Sequence, residues 1–476
     1  MAALLDIQVI ITRLSSAYNL YSHSLTIFIK RLAMSQPRLR IAICGAGIGG
    51  LTCALALSKY ADVQVDIYEC ASQLAEVGAG IGIFPRPWKV IKALGIDQEL
   101  LKRTESEVKD GPVRAFRYRK SDQLKGVDFY TLVTHGTLIT IHRADFQQVL
   151  ISHLPPSTRM FFKKRIRTYT QDLTGPVELL FEDGSKATCD LLIGADGLKS
   201  SVRAALLNEK YHWAQVEGRS SEAARALDAI HPSWSGQVAY RALIPTAKLR
   251  ACNPNHSVLT TPMQYLGKNG FVIAYPISQG RAINFVAFVM RHDLEGTKFN
   301  GPWMSATDVS AFASNFQTWE PEVLMLISCV DGPLQWAIHT VKPMKSFVSG
   351  RVALLGDAAH AMCPHQGSGA GQAIEDAYIL ASVLRHRNTH MGNIERALQV
   401  YDSVRRPLAL QVQERSRLNG RYFTFADDID WERLSESQLW EKLQQLGNRF
   451  TRNWEWAWTT SIDGSVQEAL SILESR

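Results

Sequence analysis

Residues 38–58 read RLRIAICGAGIGGLTCALALS, and this stretch decides the fold of the chain. An apolar run predicts a buried strand, and Gly45-x-Gly47-x-x-Gly50 then opens a segment with leucines at helical spacing. The next predicted strand, VQVDIYE, ends at Glu69, 19 residues after the last glycine. Such glycines let a backbone approach a pyrophosphate, and the acidic side chain can accept hydrogen bonds from ribose hydroxyls. The stretch predicts a dinucleotide-binding unit without distinguishing a nicotinamide from a flavin dinucleotide.

Two later segments bear on that choice. Residues 190–203, DLLIGADGLKSSVR, form an apolar strand that ends in a glycine–aspartate loop. Residues 350–384, GRVALLGDAAHAMCPHQGSGAGQAIEDAYILASVL, repeat the pattern with a glycine-rich loop and a helix. A dehydrogenase that binds only NAD has no use for two further loops, whereas a flavin needs polar anchors for its ribityl chain and ring. The three segments together predict one tightly held FAD.

On these three segments the chain resembles single-component (group A) FAD-dependent aromatic monooxygenases, and among them fungal salicylate hydroxylase-like proteins. The resemblance covers roughly residues 38 to 420. It implies NADH or NADPH as co-substrate, molecular oxygen, and a small aromatic substrate. The implied reaction hydroxylates a salicylate-like phenol through a flavin C4a-hydroperoxide.

The resemblance also implies which residues contact the cofactor. The expected FAD-binding residues are Gly45, Gly47, Gly50, Glu69, Gly82, Arg143, Asp196, Asp357, Gly367, Gly369, Ala370 and Gly371. Asp357 is expected to bind the ribityl hydroxyls, and the glycines to let the loop lie flat against the ring. The helix that follows directs its positive end at the flavin, and Arg203 is expected to hold the segment of Asp196 in place.

Two residues are expected on the reacting side of the flavin. By resemblance, Pro364 lies beside the carbon that carries oxygen, and Tyr240, in VAYRAL, contacts the substrate phenol. A tyrosine on a half-buried strand fits core packing equally well. Its neighbour Arg241 must point to the other face of the strand, where structural pairing is the expected role. One departure from the family is Thr340–Val341, where family members usually have a charged pair. Its loss puts in doubt either how the flavin site is supported locally or which substrate is preferred.

Composition limits the other function classes. The net charge of +7 comes without a long basic run, which disfavours nucleic-acid binding. The seven cysteines lack any C-x-x-C spacing, which indicates a reducing compartment. His360, Cys363 and His365 share one loop, but no carboxylate pattern supports a metal site, so no metal is expected.

The predicted fold class is α/β: a Rossmann-type FAD-binding domain interrupted by a mainly antiparallel β-sheet substrate domain, with a helical C-terminal segment. The expected boundaries are an N-terminal extension at 1–36, the FAD-binding domain at 37–203 and 346–400, the substrate domain at 204–345, and the helical segment at 401–476. Some substrate-domain strands are expected near 110–140. Residues 204–234 read as a loose connection.

The first 33 residues contain no apolar run long enough to span a bilayer. They read equally as a transit-like segment or as an extension without function. We therefore expect a cytoplasmic protein, or a mitochondrial one if this segment targets it, present as a monomer or homodimer without a stable membrane span.

Three functions stay open on sequence grounds. The first is a hydroxylase of a phenolic acid. The second is a hydroxylase or dearomatase of a larger secondary-metabolite phenol. The third is a flavin-binding module that does not oxygenate a substrate.

Overall fold

The computed structural model describes residues 37–60, 62–74, 80–104, 107–172, 175–427 and 429–475. The expected N-terminal extension, 1–36, lies outside these ranges. None of the helices within the ranges combines the length and hydropathy that a bilayer crossing requires.

The strands, in chain order, are β1 (Leu39–Cys44), β2 (Val63–Tyr68), β3 (Gly80–Ile83), β4 (Pro112–Lys120), β5 (Val127–His135), β6 (Ile139–His142), β7 (Arg159–Phe161), β8 (Ile166–Gln171), β9 (Val177–Phe181), β10 (Lys186–Cys189), β11 (Leu191–Gly194), β12 (Ser233–Pro245), β13 (Met263–Gly267), β14 (Gly270–Ile277), β15 (Ala282–Met290), β16 (Met304–Ala306), β17 (Leu334–Thr340), β18 (Val348–Ser349) and β19 (Val352–Leu354). The predicted first two strands agree with β1 and β2.

The α-helices are α1 (Ile48–Ser58), α2 (Pro85–Leu94), α3 (Asp97–Leu101), α4 (Arg143–Ser152), α5 (Ser201–Val216), α6 (Ser220–Asp228), α7 (Thr246–Cys252), α8 (Ser310–Ala313), α9 (Pro321–Ser328), α10 (Asp357–His360), α11 (Gly369–Leu384), α12 (Ile394–Phe423), α13 (Glu436–Trp454), α14 (Trp456–Thr459) and α15 (Asp463–Glu474). The expectation of a loose connection over 204–234 is wrong, because α5 and α6 occupy most of it. Ala223 and Ala226 are buried there, so small side chains let α6 pack closely.

The first layer is a six-stranded sheet in the order β18-β19-β11-β1-β2-β7. All its neighbours are parallel except β18 and β19, and β1 is buried in the middle. Helices α1 and α11 pack on it through one continuous core. This is the Rossmann-type unit that the glycine motif predicts, because a fully buried parallel sheet needs helices on its faces.

The second layer is an eight-stranded sheet in the order β16-β17-β12-β15-β14-β13-β4-β5. Its ladders are antiparallel except the β13–β4 pair. Side chains alternate between two faces. On the outer face, they pack against α8 and α9. The other face, which we call the loop-side face, packs against the C-terminal helices and Met362 of the glycine-rich loop.

The C-terminal helices cover part of the loop-side face. Trp454, Trp456 and Trp458 are buried there. Trp440 differs, because half of its side chain is exposed at 49%. The segment is thus a structural cover over the end of the second sheet.

Candidate flavin site and substrate chamber

The ends of four parallel strands lie side by side at one edge of the first sheet. The ladder registers place Tyr68, Cys44, Gly194 and Leu354 in one row. From this row the chain enters the three glycine motifs, which are far apart in sequence. Ligands of open α/β sheets collect outside the carboxyl ends of the strands. The register therefore brings the three predicted segments to one place.

A cavity outside this row is lined by residues of two of these segments and by α4. Its lining includes five expected FAD-binding residues, namely Gly45, Gly47, Glu69, Arg143 and Asp196. The Glu69 carboxylate accepts hydrogen bonds from the backbone N–H groups of Ala46 and Ala71, at 2.8 and 2.9 Å. These bonds hold the carboxylate at the mouth of the glycine turn, where a ribose would follow a bound pyrophosphate.

Protein atoms leave no room for a side chain at Gly45 or Gly50, whereas the space beside Gly47 is open. A Cβ at Gly45, where φ is +108°, would lie 2.3 Å from the Ala195 carbonyl oxygen, and one at Gly50 would lie 2.0 Å from that of Gly45. At Gly47, a Cβ would meet only the Arg143 guanidinium, at 4.0 Å. No side chain caps α1, so its first N–H groups are available to a ligand. This shape and these donors fit a pyrophosphate.

Asp196 is held by the start of α5. Its carboxylate accepts from the Ser200 hydroxyl at 2.5 Å and from the N–H groups of Ser201 and Val202 at 2.8 and 3.1 Å. Burial raises the pKa of Asp196, and these donors oppose the rise. The aspartate thus shapes the loop that lines the cavity.

Arg203 joins the second and third motifs. Its buried guanidinium donates to the Leu198 carbonyl at 2.6 Å and to the Ala358 carbonyl at 3.0 Å. Burial lowers the pKa of Arg203 to about 10, while Asp196 and Asp357 oppose the shift. The contact with Leu198 agrees with the expectation that this arginine holds the segment of Asp196 in place. The contact with Ala358 also links that segment to the third motif, which contains the glycine-rich loop.

Within residues 351–384, all of which the structure describes, Asp357, Pro364 and Gly367 are exposed and every other residue is buried or half-buried. At Gly367, where φ is +58°, and at Gly369, a Cβ would meet nothing within 4 Å. Open space beside both glycines fits a planar ring, and the exposed carboxylate of Asp357 fits a hydroxylated tail. No side chain caps α11, so its first N–H groups also face this region.

The remaining expected FAD-binding residues have packing contacts. A Cβ at Gly371 would lie 2.9 Å from Pro87 Cγ, and one at Gly82 would lie 2.9 Å from Leu138 Cδ1. Ala370 is half-buried against the main core. These three positions support the shape of the loop and of the β3–β6 ribbon.

A buried ionic cluster behind the loop was missed by the sequence analysis. Glu375 binds Arg86 and Arg405 at 3.1 and 3.3 Å, and Asp376 binds Arg405 and His360 at 2.7 and 2.6 Å. Burial raises the pKa of Asp376, but His360 and Arg405 outweigh it and lower the value to about 2. The sequence did carry a signal for this cluster: Glu375 and Asp376 are adjacent acids in a mostly apolar helix. Buried carboxylates require partners, so a pair of them indicates buried basic residues nearby.

Gln237 ties the second sheet to the glycine-rich loop. Its Oε1 lies 2.7 Å from His365 Nε2, and its Nε2 lies 3.6 Å from Cys363 Sγ. Burial lowers the pKa of His365 to about 3 and raises the pKa of Cys363 to about 12. Both side chains are therefore neutral at pH 7. No metal-binding group of His, Cys, Asp or Glu occurs among the described residues.

The structure does not bring Tyr240 to the loop-side face. Its ring stacks on Phe312 at a centroid distance of 4.7 Å, within the cluster on the outer face. It also lies opposite Ala287, another member of that cluster. This corrects the expectation of a substrate contact, because successive side chains of a strand point to opposite faces. Arg241, expected to have a structural role, faces the loop side.

Arg241 lies in an aromatic part of the loop-side face. Its guanidinium is 5.9 Å from the centre of the Trp336 ring. Burial lowers the pKa of Arg241, and Tyr275 opposes the shift. Tyr275 itself meets Phe116 edge-on at 6.1 Å. Arg241 forms no ion pair with a carboxylate of the described residues. We call the region of Arg241, Tyr275, Phe116 and Trp336 the substrate chamber, after the role that we propose for it in the next subsection.

The departure at Thr340–Val341 has a structural counterpart. The Val341 N–H donates to the Ala361 carbonyl at 3.2 Å. Gln413 Nε2 bridges the Val341 and Ala361 carbonyls at 2.8 and 2.9 Å. Hydrogen bonds between uncharged groups, including those of Gln413 on α12, thus hold the end of β17 against the start of the glycine-rich loop.

Comparison with known proteins agrees with this geometry. The family model described as FAD binding domain matches residues 38–255 and 334–416. The chain is 33% identical to a salicylate hydroxylase of Pseudomonas putida, over 91% of this chain and 95% of that protein. It is 32% identical to the FAD-dependent monooxygenase str9 of Strobilurus tenacellus, over 92% and 98%. A solved salicylate hydroxylase substrate complex superposes with a TM-score of 0.76 at 31% identity, covering 91% of this chain and 98% of that one. The chain therefore belongs to the FAD binding domain family, as a salicylate hydroxylase-like FAD-dependent monooxygenase.

Proposed function

We propose that this chain hydroxylates a phenolic aromatic acid, and that Arg241 binds the carboxylate of the substrate. The observation that carries the proposal is the position of Arg241, half-buried on the loop-side face, without a carboxylate partner among the described residues. A charge held in such a place normally has a counter-ion. A substrate carboxylate supplies one. Relatives with salicylate in their names support the same substrate class.

Tyr275 is the candidate partner for the phenol oxygen. Burial raises the pKa of Tyr275, so the side chain keeps its proton at pH 7 and can donate a hydrogen bond. Such a donor stabilises the phenolate, the form in which an aromatic ring is most electron-rich. Arg241 adds a positive charge nearby. Together, the two residues would orient the ring and favour its ionised form.

The aromatic walls and the glycine-rich loop have complementary tasks. Bound FAD, reduced by NADH or NADPH, supplies the activation of molecular oxygen. Phe116 and Trp336 exclude water from the chamber, and Pro364 faces the side on which oxygen is transferred. For an ortho-hydroxy acid, one oxygen atom enters the ring and the other leaves as water. Attack at the carboxyl-bearing carbon releases carbon dioxide and leaves a catechol.

All seven cysteines are free thiols, which supports a reducing compartment and a cytoplasmic enzyme. Neither α12 nor α13, the long C-terminal helices, could span a membrane. The reductant, oxygen and the aromatic acid are the small-molecule partners of the reaction.

The test is NADH and NADPH oxidation by the FAD-loaded protein with salicylate, phenol and benzoate, with product and hydrogen peroxide measured separately. We expect salicylate to accelerate oxidation and to yield catechol, with labelled carbon dioxide from the carboxyl group. Arg241→Gln should raise KM for salicylate about tenfold to a hundredfold and leave that for phenol unchanged. The exposed Arg433→Gln is the matched control. An equal loss for phenol and salicylate would contradict the role of Arg241, and no acceleration by any phenol would overturn the function.

A further inference from the structure

Three large apolar side chains are exposed beside the substrate chamber. Leu243 is 61% exposed, Met304 is 50% exposed and Leu334 is 42% exposed. We call these three residues the apolar shelf. Single exposed leucines are ordinary on protein surfaces, but a contiguous group next to a binding site indicates a ligand contact.

The strand registers place the apolar shelf around Arg241. Leu334 lies directly opposite Arg241 on the neighbouring strand. Leu243 is two residues further along β12 and therefore shares the face of Arg241. Met304 lies opposite Trp336, whose ring the Arg241 guanidinium covers. All three shelf residues thus lie on the loop-side face beside Arg241, where their side chains are exposed to solvent.

The opposite side of Arg241 is enclosed. Val286, its partner on β15, is buried, and Tyr275 is half-buried one strand further on. A plain phenolic acid with its carboxylate on Arg241 and its ring on this enclosed side would leave the apolar shelf in water. A bound molecule that continues past the carboxylate with an apolar group would cover the shelf.

We propose that the preferred substrate is a hydroxylated aromatic carboxylate that carries an apolar substituent of several carbons, and that this substituent lies on the apolar shelf. The inference rests on the proposed function and specifies its substrate class. Arg241 argues for a small anionic ligand over a second protein copy, because its charge requires a counter-ion at the same place. Each methylene removed from water by the shelf would strengthen binding about threefold to fourfold.

The test compares salicylate with salicylates that carry a pentyl chain at ring position 3, 4, 5 or 6. Dissociation constants are measured on the FAD-loaded protein by the change in flavin fluorescence, and kcat/KM is measured by product formation. We expect one pentyl isomer to bind at least tenfold more tightly than salicylate, with a parallel gain in kcat/KM. If salicylate binds as well as every pentyl isomer, the proposal is overturned.

The double variant Leu243→Ser, Leu334→Ser tests whether the preference for a pentyl isomer comes from the apolar shelf. It should remove most of the tenfold preference and leave the dissociation constant of salicylate within about twofold, because an unsubstituted ring does not reach the shelf. Leu124→Ser, at a leucine that is 85% exposed elsewhere, is the matched control. A preference that survives in the double variant would overturn the assignment of the shelf.

Two other outcomes are distinguishable. Sedimentation of the same variants reports the oligomeric state: if the double variant dissociates a dimer without changing pentyl selectivity, the apolar shelf is a subunit contact and the proposal fails. If no aromatic acid, substituted or not, binds or accelerates NADH oxidation, the proposed function itself fails. Binding of salicylate without any pentyl preference rejects only the inference about the shelf.

Discussion

Gln237 Oε1 lies 2.7 Å from His365 Nε2, and this hydrogen bond joins the second sheet to the loop that carries Pro364. The His365 ring also meets the stacked rings of Phe271 and Phe288 of the same sheet edge-on, at centroid distances of 5.4 and 5.3 Å. This buried polar contact and the apolar packing around it therefore help to fix the distance between the glycine-rich loop and the second sheet.

Loss of this contact should uncouple the reaction. Gln237→Leu removes both hydrogen bonds, so the loop can shift relative to the bound substrate, and a shift of about 1 Å is costly for a positioned reaction. We expect the hydrogen peroxide formed per NADH to rise several-fold, with FAD content unchanged. Gln335→Leu is the control, because Gln335 lies opposite Tyr240 and faces away from the loop. Equal coupling in both variants would contradict the role of Gln237.

The two sides of the glycine turn predict opposite phenotypes. Gly47→Val places its side chain in open space, so the protein should fold without FAD at a nearly unchanged melting temperature but lose flavin from its absorption spectrum. Gly50→Ala would put a Cβ 2.0 Å from the Gly45 carbonyl oxygen and should destabilise the fold itself. Thermal unfolding of both proteins, with and without added FAD, separates the outcomes. Full flavin content in Gly47→Val would show that the open side is not the nucleotide cradle.

The phenol contact assigned to Tyr275 is tested against Tyr240. Tyr275→Phe removes the hydroxyl that would face the phenol, and kcat should fall about a hundredfold while KM changes little. Tyr240→Phe should leave kcat within about twofold, because its ring packs on Phe312 at the outer face. Steady-state kinetics with salicylate measures both values. The reverse ranking of the two variants would return the catalytic assignment to Tyr240.

The buried ionic cluster predicts a large stability difference between adjacent arginines. Arg405→Met leaves Glu375 and Asp376 with one partner fewer in a dry interior, and we expect a loss of about 3–5 kcal/mol in the free energy of unfolding. Arg406→Met breaks only a partly exposed pair with Asp402 and should cost less than about 1 kcal/mol. Denaturant unfolding measures both changes. Similar costs would mean that burial of the cluster does not determine its energy.

His365 predicts a pH dependence of stability. Its pKa in the folded protein is about 3, well below the ordinary value of 6.5. Below pH 6.5 the unfolded chain therefore binds a proton that the folded protein does not, and stability falls as the pH drops from 6.5 towards 3. Between pH 6.5 and 5.5, this residue should contribute a loss of about 1 kcal/mol. His365→Asn removes that contribution, so parallel pH profiles of the two proteins would contradict the prediction.

The short motifs determined the nucleotide-binding half of the molecule. The spacing of Gly45, Gly47 and Gly50 after an apolar strand predicted the strand, the turn and the helix. The contact of Gly50 with the Gly45 carbonyl oxygen is local, whereas the contact of Gly45 with Ala195 joins two distant segments. The glycine-rich loop at Gly367 and Gly369 was likewise predicted from the sequence, and open space lies beside both residues. The family resemblance carried these local features to the correct cofactor class.

Only the tertiary structure decided which side chains meet the substrate. Strand alternation puts Tyr240 and Arg241 on opposite faces, but it cannot tell which face meets the loop, because that depends on where a second sheet packs. For the same reason, the partners of Glu375 and the apolar shelf around Arg241 were not visible in the sequence. These contacts join residues separated by long stretches of chain, which only the packing of helices and the registers of the second sheet bring together.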